Sequence, residues 1–380
     1  MKKLLMIPGP TPVVDSIREQ MARDTVAFGD PGFIDDFKQV LKDLKELWSC
    51  DGEAFVVAGS GSLAMEMALA NTLQAGDKLL LASNGFFGDR FIEIAERKGI
   101  DLTLLQAEWG QTITPEQVDD KLKDGGFKAV ALTQVDTSTG VLAPVRQIGE
   151  VVAKYDDVLF IVDGVCSVGG EPVDLEADQI DVLFTGSQKA FGVCPGLMML
   201  WANQKSLARR EALGQIPEYY CDYQKWLPIM QDPAKYFATP PINLIWALQE
   251  SIRLMKQEGL EQRYQRHEKN AKAMQQAFEA IGFRILADKD HRAHTLSNLL
   301  YPAGIDDLAF RTKLAEEGVQ AAGGVGQYAG KMLRVGHMGN ADQHTMIATL
   351  AALERTMKHF QSDFELGRGV SAYLSALEQS

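Results

Sequence analysis

VLFIVDGVCSVGGEPVDLEADQIDVLFTGSQKA, residues 158–190, decides the fold. Its two apolar runs, VLFIVD (158–163) and VLFTG (182–186), are continuous rather than alternating. Strands of that kind are buried on both faces, as in a parallel sheet covered by helices. Both runs end in reactive side chains. Asp163 closes the first, and Ser187-Gln188-Lys189 follows the second. In parallel sheets ligands sit beyond the carboxyl ends of the strands.

Working outward, the same alternation continues. EAFVVAG (53–59), KLLLAS (78–83), DLTLLQA (101–107) and AVALT (129–133) read as strands, and GLMMLWA (196–202) as a further one. Helical spacing of apolar residues predicts helices over 33–48, 63–75, 88–99, 115–124 and 148–156. After about residue 255 the pattern changes. A long amphipathic helix is expected over 260–281, with helices over 306–317 and 342–358 and a strand over 331–337. The sequence therefore predicts an α/β fold: a large domain over 17–255 with a mostly parallel sheet flanked by helices, and a smaller C-terminal α+β domain over 256–380. The stretch from 361 onward carries weak signals and reads as peripheral.

The chain has 380 residues, enough for about two domains at roughly 150 residues each. Apolar residues make up 46% and charged residues 23%, an ordinary globular balance. With 38 basic and 51 acidic residues, the net charge of −13 disfavours nucleic acid and anionic membranes as partners. Cys50, Cys166, Cys194 and Cys221 show no zinc spacing, and His291 with His294 lacks a third ligand nearby, so no metal site is expected. No apolar run reaches the roughly 18 residues of a membrane span, and Pro-Gly-Pro at 8–10 interrupts the only leader-like start. A cytoplasmic setting is expected.

Four segments fall at strand ends. Gly59-Ser60-Gly61-Ser62 opens a helix, whose free amide groups form an anion site, with Ser60 and Ser62 adding hydroxyls. The plainer reading is a serine cap. The segment also matches G-x-G-x-x-A, but Ser83-Asn84 stands where a dinucleotide's ribose would need an acid. In Asn84-Gly85-Phe86-Phe87-Gly88, Phe87 can stack on an aromatic face or simply pack. Asp163 can pair with a protonated ring nitrogen or cap a loop, and Val165 can press on the ring. Lys189 can form a Schiff base with an aldehyde, or be a surface lysine. Arg334, in an apparent strand of the small domain, can clamp a carboxylate or serve a structural salt bridge.

Taken together, GSGS, NGFFG, Asp136-Thr137-Ser138-Thr139-Gly140, VDGVCSVGG and TGSQKA resemble the class V aminotransferases, of the alanine–glyoxylate and serine–glyoxylate (serine–pyruvate) type. The resemblance runs from Ile7-Pro8-Gly9-Pro10 to about Lys358. It implies fold type I with a seven-stranded sheet and pyridoxal 5′-phosphate as cofactor. It makes Lys189 the Schiff-base lysine and general acid–base, and Asp163 the partner of the pyridine nitrogen. Gly61, Ser62 and Gln188 match phosphate contacts, and Thr137 matches a hydroxyl near the cofactor's O3′. Arg334 matches the α-carboxylate clamp, with Gly9 close to the substrate in an N-terminal arm (1–16). Tyr236 and Thr239 would reach the phosphate of a neighbouring subunit's cofactor, which implies a homodimer with shared sites.

Some positions depart from the family pattern. Phe87 stands where many relatives have Trp, Ser62 where the animal alanine–glyoxylate enzymes have His, and Ala27-Phe28-Gly29-Asp30-Pro31 where many microbial relatives have Gly-His-Arg. The implied reaction is transamination between a small amino acid, alanine or serine, and glyoxylate or pyruvate. Aspartate and 2-aminoethylphosphonate remain alternative donors. A pyridoxal-phosphate-dependent lyase is disfavoured because all four cysteines precede residue 222.

Overall fold

The structure, a computed structural model, describes residues 3–379. Residues 1–2 and 380, the ends of the expected arm and small domain, lie outside the described residues. Seven strands form the main sheet: β1 (Glu53–Gly59), β2 (Lys78–Ser83), β3 (Asp101–Gln106), β4 (Phe127–Thr133), β5 (Leu159–Asp163), β6 (Val182–Gly186) and β7 (Gly196–Ala202). Their order is β1-β7-β6-β5-β4-β2-β3. All neighbours pair in parallel except β7, which runs antiparallel to both β1 and β6. The carboxyl ends of the other six therefore share one edge.

Helices cover this sheet: α1 (Asp15–Met21), α2 (Pro31–Leu47), α3 (Gly61–Thr72), α4 (Arg90–Lys98), α5 (Pro115–Leu122), α6 (Val145–Val152), α7 (Gln204–Ala212), α8 (Tyr223–Gln231) and α9 (Ile242–Glu258). Local chemistry sets their starts. Pro31 and Pro115 occupy first turns, where a missing N–H costs nothing. Asp30 accepts from Phe33 N, and Thr114 with Gln117 completes a capping box. These caps move α2 two residues ahead of the expected start. One contiguous core, from Ile17 to Met255, fills the space between sheet and helices.

Gly259, at φ +83°, breaks α9 from α10 (Leu260–Ile281). A four-stranded antiparallel sheet follows, ordered β8 (Arg284–Ile285), β9 (Leu296–Leu300), β11 (Met332–Gly336), β10 (Ala322–Gly323). α11 (Asp307–Glu316), α12 (Gln343–Phe360) and α13 (Arg368–Gln379) complete the unit. Its core runs from Ala273 to Ala376 and includes Met6. The N-terminal residues Leu4–Leu5 pair with Val319–Gln320, so the arm is stitched to this smaller unit.

The C-terminal stretch departs from expectation. α13 is an integral helix whose Tyr373 is fully buried against the small core. The buried carboxylate of Glu354 accepts from the amides of Gly367, Gly369 and Val370 and so satisfies the start of the helix. That partner is 13 to 16 residues upstream, which is why local periodicity misses it. No helix among the described residues is long and apolar enough to cross a membrane.

Candidate active site

β1, β2, β5 and β6 deliver the four expected segments to one edge. There, Ser60, Gly61, Ser62, Phe87, Thr137, Asp163, Val165, Gln188 and Lys189 line a single cavity of about 160 Å³. Gly61 is required for shape. A Cβ there would lie 2.7 Å from Val165 Cγ2, so the valine can press on the helix start only because the side chain is missing. Among the described residues no side chain caps α3 at Ser60, leaving its first amides open to an anion.

Asp163 is fully buried at the end of β5. Val165 N donates to Oδ1 at 2.9 Å and Thr133 Oγ1 to Oδ2 at 3.2 Å. Burial pushes its carboxyl up to about 7, and the nearby charge of Asp136 adds to this, while Lys189 pulls the other way. A buried carboxylate with so few donors is stabilised by a cationic partner in the cavity.

Lys189 is half-buried and donates through Nζ to Pro8 O of the arm. Gly9 lies against it. A Cβ at Gly9 would be 2.5 Å from Lys189 Cδ, and its φ of +109° favours glycine. Thr11 fastens the arm to the lysine turn, with Oγ1 donating to Lys189 O at 2.7 Å and N to Gln188 O at 3.0 Å.

Arg334 does not line the cavity but reaches its rim. Nη1 donates to Thr137 O at 3.4 Å and Nε to Gly323 O at 2.7 Å. Among the described residues it has no carboxylate within salt-bridge distance, which removes the structural-salt-bridge reading. Asn298 Nδ2 also donates to Thr137 O. Tyr236 and Thr239 stand apart from the cavity of their own chain. Tyr236 is 60% exposed, touches Thr239 Oγ1 through its hydroxyl at 3.3 Å, and packs on Phe28 at 4.9 Å.

Sequence reasoning missed several participants. Asp136, fully buried, holds the Phe87 loop by accepting from Phe87 N at 2.8 Å and Gly88 N at 2.9 Å. Its Oδ1 also takes both N and Oγ of Ser138. The Asp-x-Ser spacing carries that turn signal. Arg90 lines the cavity, donates to Ser62 Oγ at 3.0 Å and sits 4.7 Å from the Phe87 ring centroid. Cys166 also lines the cavity, which its spacing from the other cysteines does not signal. Burial raises its thiol, which disfavours the thiolate, while Lys189 pulls the other way.

The residues fit a phosphorylated pyridine aldehyde. Among the described residues no side chain caps the helix start, and an amine and a carboxylate face the same space. Sites of this type belong to the fold type I enzymes that work with pyridoxal phosphate. Over residues 32–341 the chain matches the family model described as aminotransferase class-V, and it belongs to that family. It is a pyridoxal-phosphate-dependent aminotransferase. The chain is 36% identical to an uncharacterized aminotransferase of Methanocaldococcus jannaschii, covering 94% of this chain and 93% of that protein. It is 30% identical to the serine–glyoxylate aminotransferase of Methylorubrum extorquens, covering 99% and 96%. The crystal structure of ureidoglycine–glyoxylate aminotransferase from Bacillus subtilis superposes with a TM-score of 0.93 at 30% identity, covering 100% of this chain and 98% of that one.

Proposed function

We propose that the chain transfers the amino group of a small amino acid, alanine or serine, to glyoxylate or pyruvate, with pyridoxal 5′-phosphate held on Lys189. One observation carries this: an amine and a buried carboxylate face a cavity whose wall includes an uncapped helix start. The glyoxylate acceptors named for the relatives above support the choice of oxo acid. When bound, the cofactor supplies the electron sink for breaking the bond to the amino acid's Cα hydrogen.

The chain's own residues do the rest. Ser60, Gly61, Ser62 and Gln188 would hold the phosphate, and Thr137 would serve the ring hydroxyl. Asp163 would hold the protonated ring nitrogen, whose positive charge would return its carboxyl to the ionised form. Phe87 and Val165 would flank the ring. Arg334 binds the carboxylate of either substrate, with Gly9 beside it. Lys189 Nζ removes the proton from Cα in one half-reaction and returns one to Cα in the other. The large domain (17–255) carries the cofactor, and the small domain (256–380) with the arm (1–16) carries the clamp. Tyr236 and Thr239 of each subunit complete the phosphate site of the other in a homodimer. Purified protein given pyridoxal phosphate should gain a visible absorbance band that alanine or serine bleaches and glyoxylate or pyruvate restores. A donor panel against glyoxylate, pyruvate and 2-oxoglutarate ranks the pairs. A protein that gains no band refutes the proposal.

A further inference from the structure

Arg263 belongs to α10 of the smaller unit, yet it ends among the loops of the site. It is 1% exposed. Nε donates to Gly169 O at 2.8 Å and Nη2 to Ala190 O at 2.7 Å, while Nη1 pairs with Glu258 Oε2 at 2.8 Å. Gly169 lies in the loop that leaves Asp163, and Ala190 directly follows Lys189. A guanidinium serving only an ion pair would need Glu258 alone. This one places one charge-assisted hydrogen bond on each loop, and its planar fork fixes their separation.

The surroundings make that separation stiff. A Cβ at Gly170 would lie 2.6 Å from Thr295 Cγ2 and 3.5 Å from Ala190 Cβ, so the two loops pass too closely for a side chain at Gly170. One turn along α10, His267 braces the Arg263 backbone. Its Nδ1 bonds Arg263 O at 2.7 Å, and its Nε2 accepts from Gly339 N at 2.9 Å. The carbonyls before Ala190 are held from the arm, since Thr11 takes both Gln188 O and Lys189 O. Three successive carbonyls of the lysine turn are thus bonded by groups outside the large core.

We propose that Arg263 is a positioning residue for transamination: it sets the spacing of Lys189 and Asp163 by tying the turn after one to the loop after the other, with Thr11 holding the lysine's own carbonyl. This rests on the reading that Lys189 carries the cofactor and Asp163 its ring nitrogen.

The test uses holoenzyme of wild type, Arg263→Met, Arg263→Lys, Thr11→Val and Thr11→Ser. Three quantities are read: the pH midpoint of the lysine-linked absorbance band, kcat against KM with L-serine and L-alanine, and the melting temperature. Arg263→Met should lower kcat by about 10- to 100-fold with KM within about threefold. Its band midpoint should move by about one pH unit. Arg263→Lys should recover part of both, and Thr11→Ser should restore what Thr11→Val loses. A cofactor-loaded Arg263→Met with the wild-type midpoint and kcat, lowered only in melting temperature, overturns the role. Should Arg263→Met fail to fold, Arg263→Lys and Thr11→Val decide by the same readouts, and unchanged midpoints and kcat in both overturn it. Absence of the band from wild type itself removes the cofactor reading and this role with it.

Discussion

The two charged ends of the site are built differently. Asp163 terminates a central strand of a doubly covered sheet, has no exposed surface to speak of, and is pushed up to about 7 by burial. Arg334 sits mid-strand in the small antiparallel sheet, half-buried, held by two carbonyls and lacking a carboxylate partner among the described residues. The first end suits a permanent counter-charge, because a bare carboxylate there is costly. The second suits an anion that comes and goes, because its guanidinium is already positioned and hydrogen-bonded without being neutralised.

Lys189, which shares the cavity with Asp163, should matter most. Lys189→Ala should fold and lose transamination by about 10⁴-fold or more, measured by single-turnover kinetics with alanine. Wild-type rates would break the assignment outright.

Asp163→Asn tests the permanent end and should lower kcat by about 10²- to 10³-fold. It also carries a stability signature in cofactor-free protein. The folded pKa of about 7 lies above the ordinary 3.8, so the native state holds a proton that the unfolded chain has released. Stability therefore falls as pH rises from about 4 to about 7 and levels off above. Urea unfolding at about pH 5 and about pH 8 should show wild type losing up to about 3 kcal/mol that the Asn variant keeps. Cofactor should offset that loss in wild type.

Arg334→Gln tests the transient end. KM for the amino acid should rise about 10- to 100-fold while the cofactor band is largely unchanged, since the charged carboxylate contact is lost along with two hydrogen bonds to backbone carbonyls, and Asn298 still donates to Thr137 O. Equal losses for Asp163→Asn and Arg334→Gln in kcat alone would erase the contrast between the ends.

The permanent end was legible in the sequence because its parts are local. Asp163 and Lys189 each lie at or just beyond the end of an apolar run, and most of the main strands announce themselves as such runs, the edge strand β3 (DLTLLQ) being the most mixed. The transient end was legible only as one arginine in a short strand, for its surroundings come from Thr137, remote in sequence, and from Gly323 on the neighbouring strand. The same distance hid Asp136 under Phe87, Arg263 behind the lysine turn and Glu354 at the start of α13. Each is a charged side chain satisfying backbone amides or carbonyls elsewhere in the chain, and no periodicity records that. The antiparallel sense of β7 was equally silent, because a run buried on both faces reads the same in either direction.

Phe87 offers the finest cut, since it meets the cavity with neither charge nor reacting atom. Its amide is pinned by Asp136 and its ring lies near Arg90, so the ring is held in place before any ligand enters. Flanking by a held ring contributes through contact area and the ring's quadrupole, worth about 0.5–1.5 kcal/mol beyond burial. Phe87→Ala should therefore weaken pyridoxal phosphate binding by about three- to tenfold, read from the absorbance band after dialysis, with kcat of the loaded enzyme nearly unchanged. Phe87→Trp should bind as well as wild type, because a larger face does the same work. A loaded Phe87→Ala enzyme whose kcat drops tenfold at unchanged affinity would place the ring with the reacting groups at the Lys189 end.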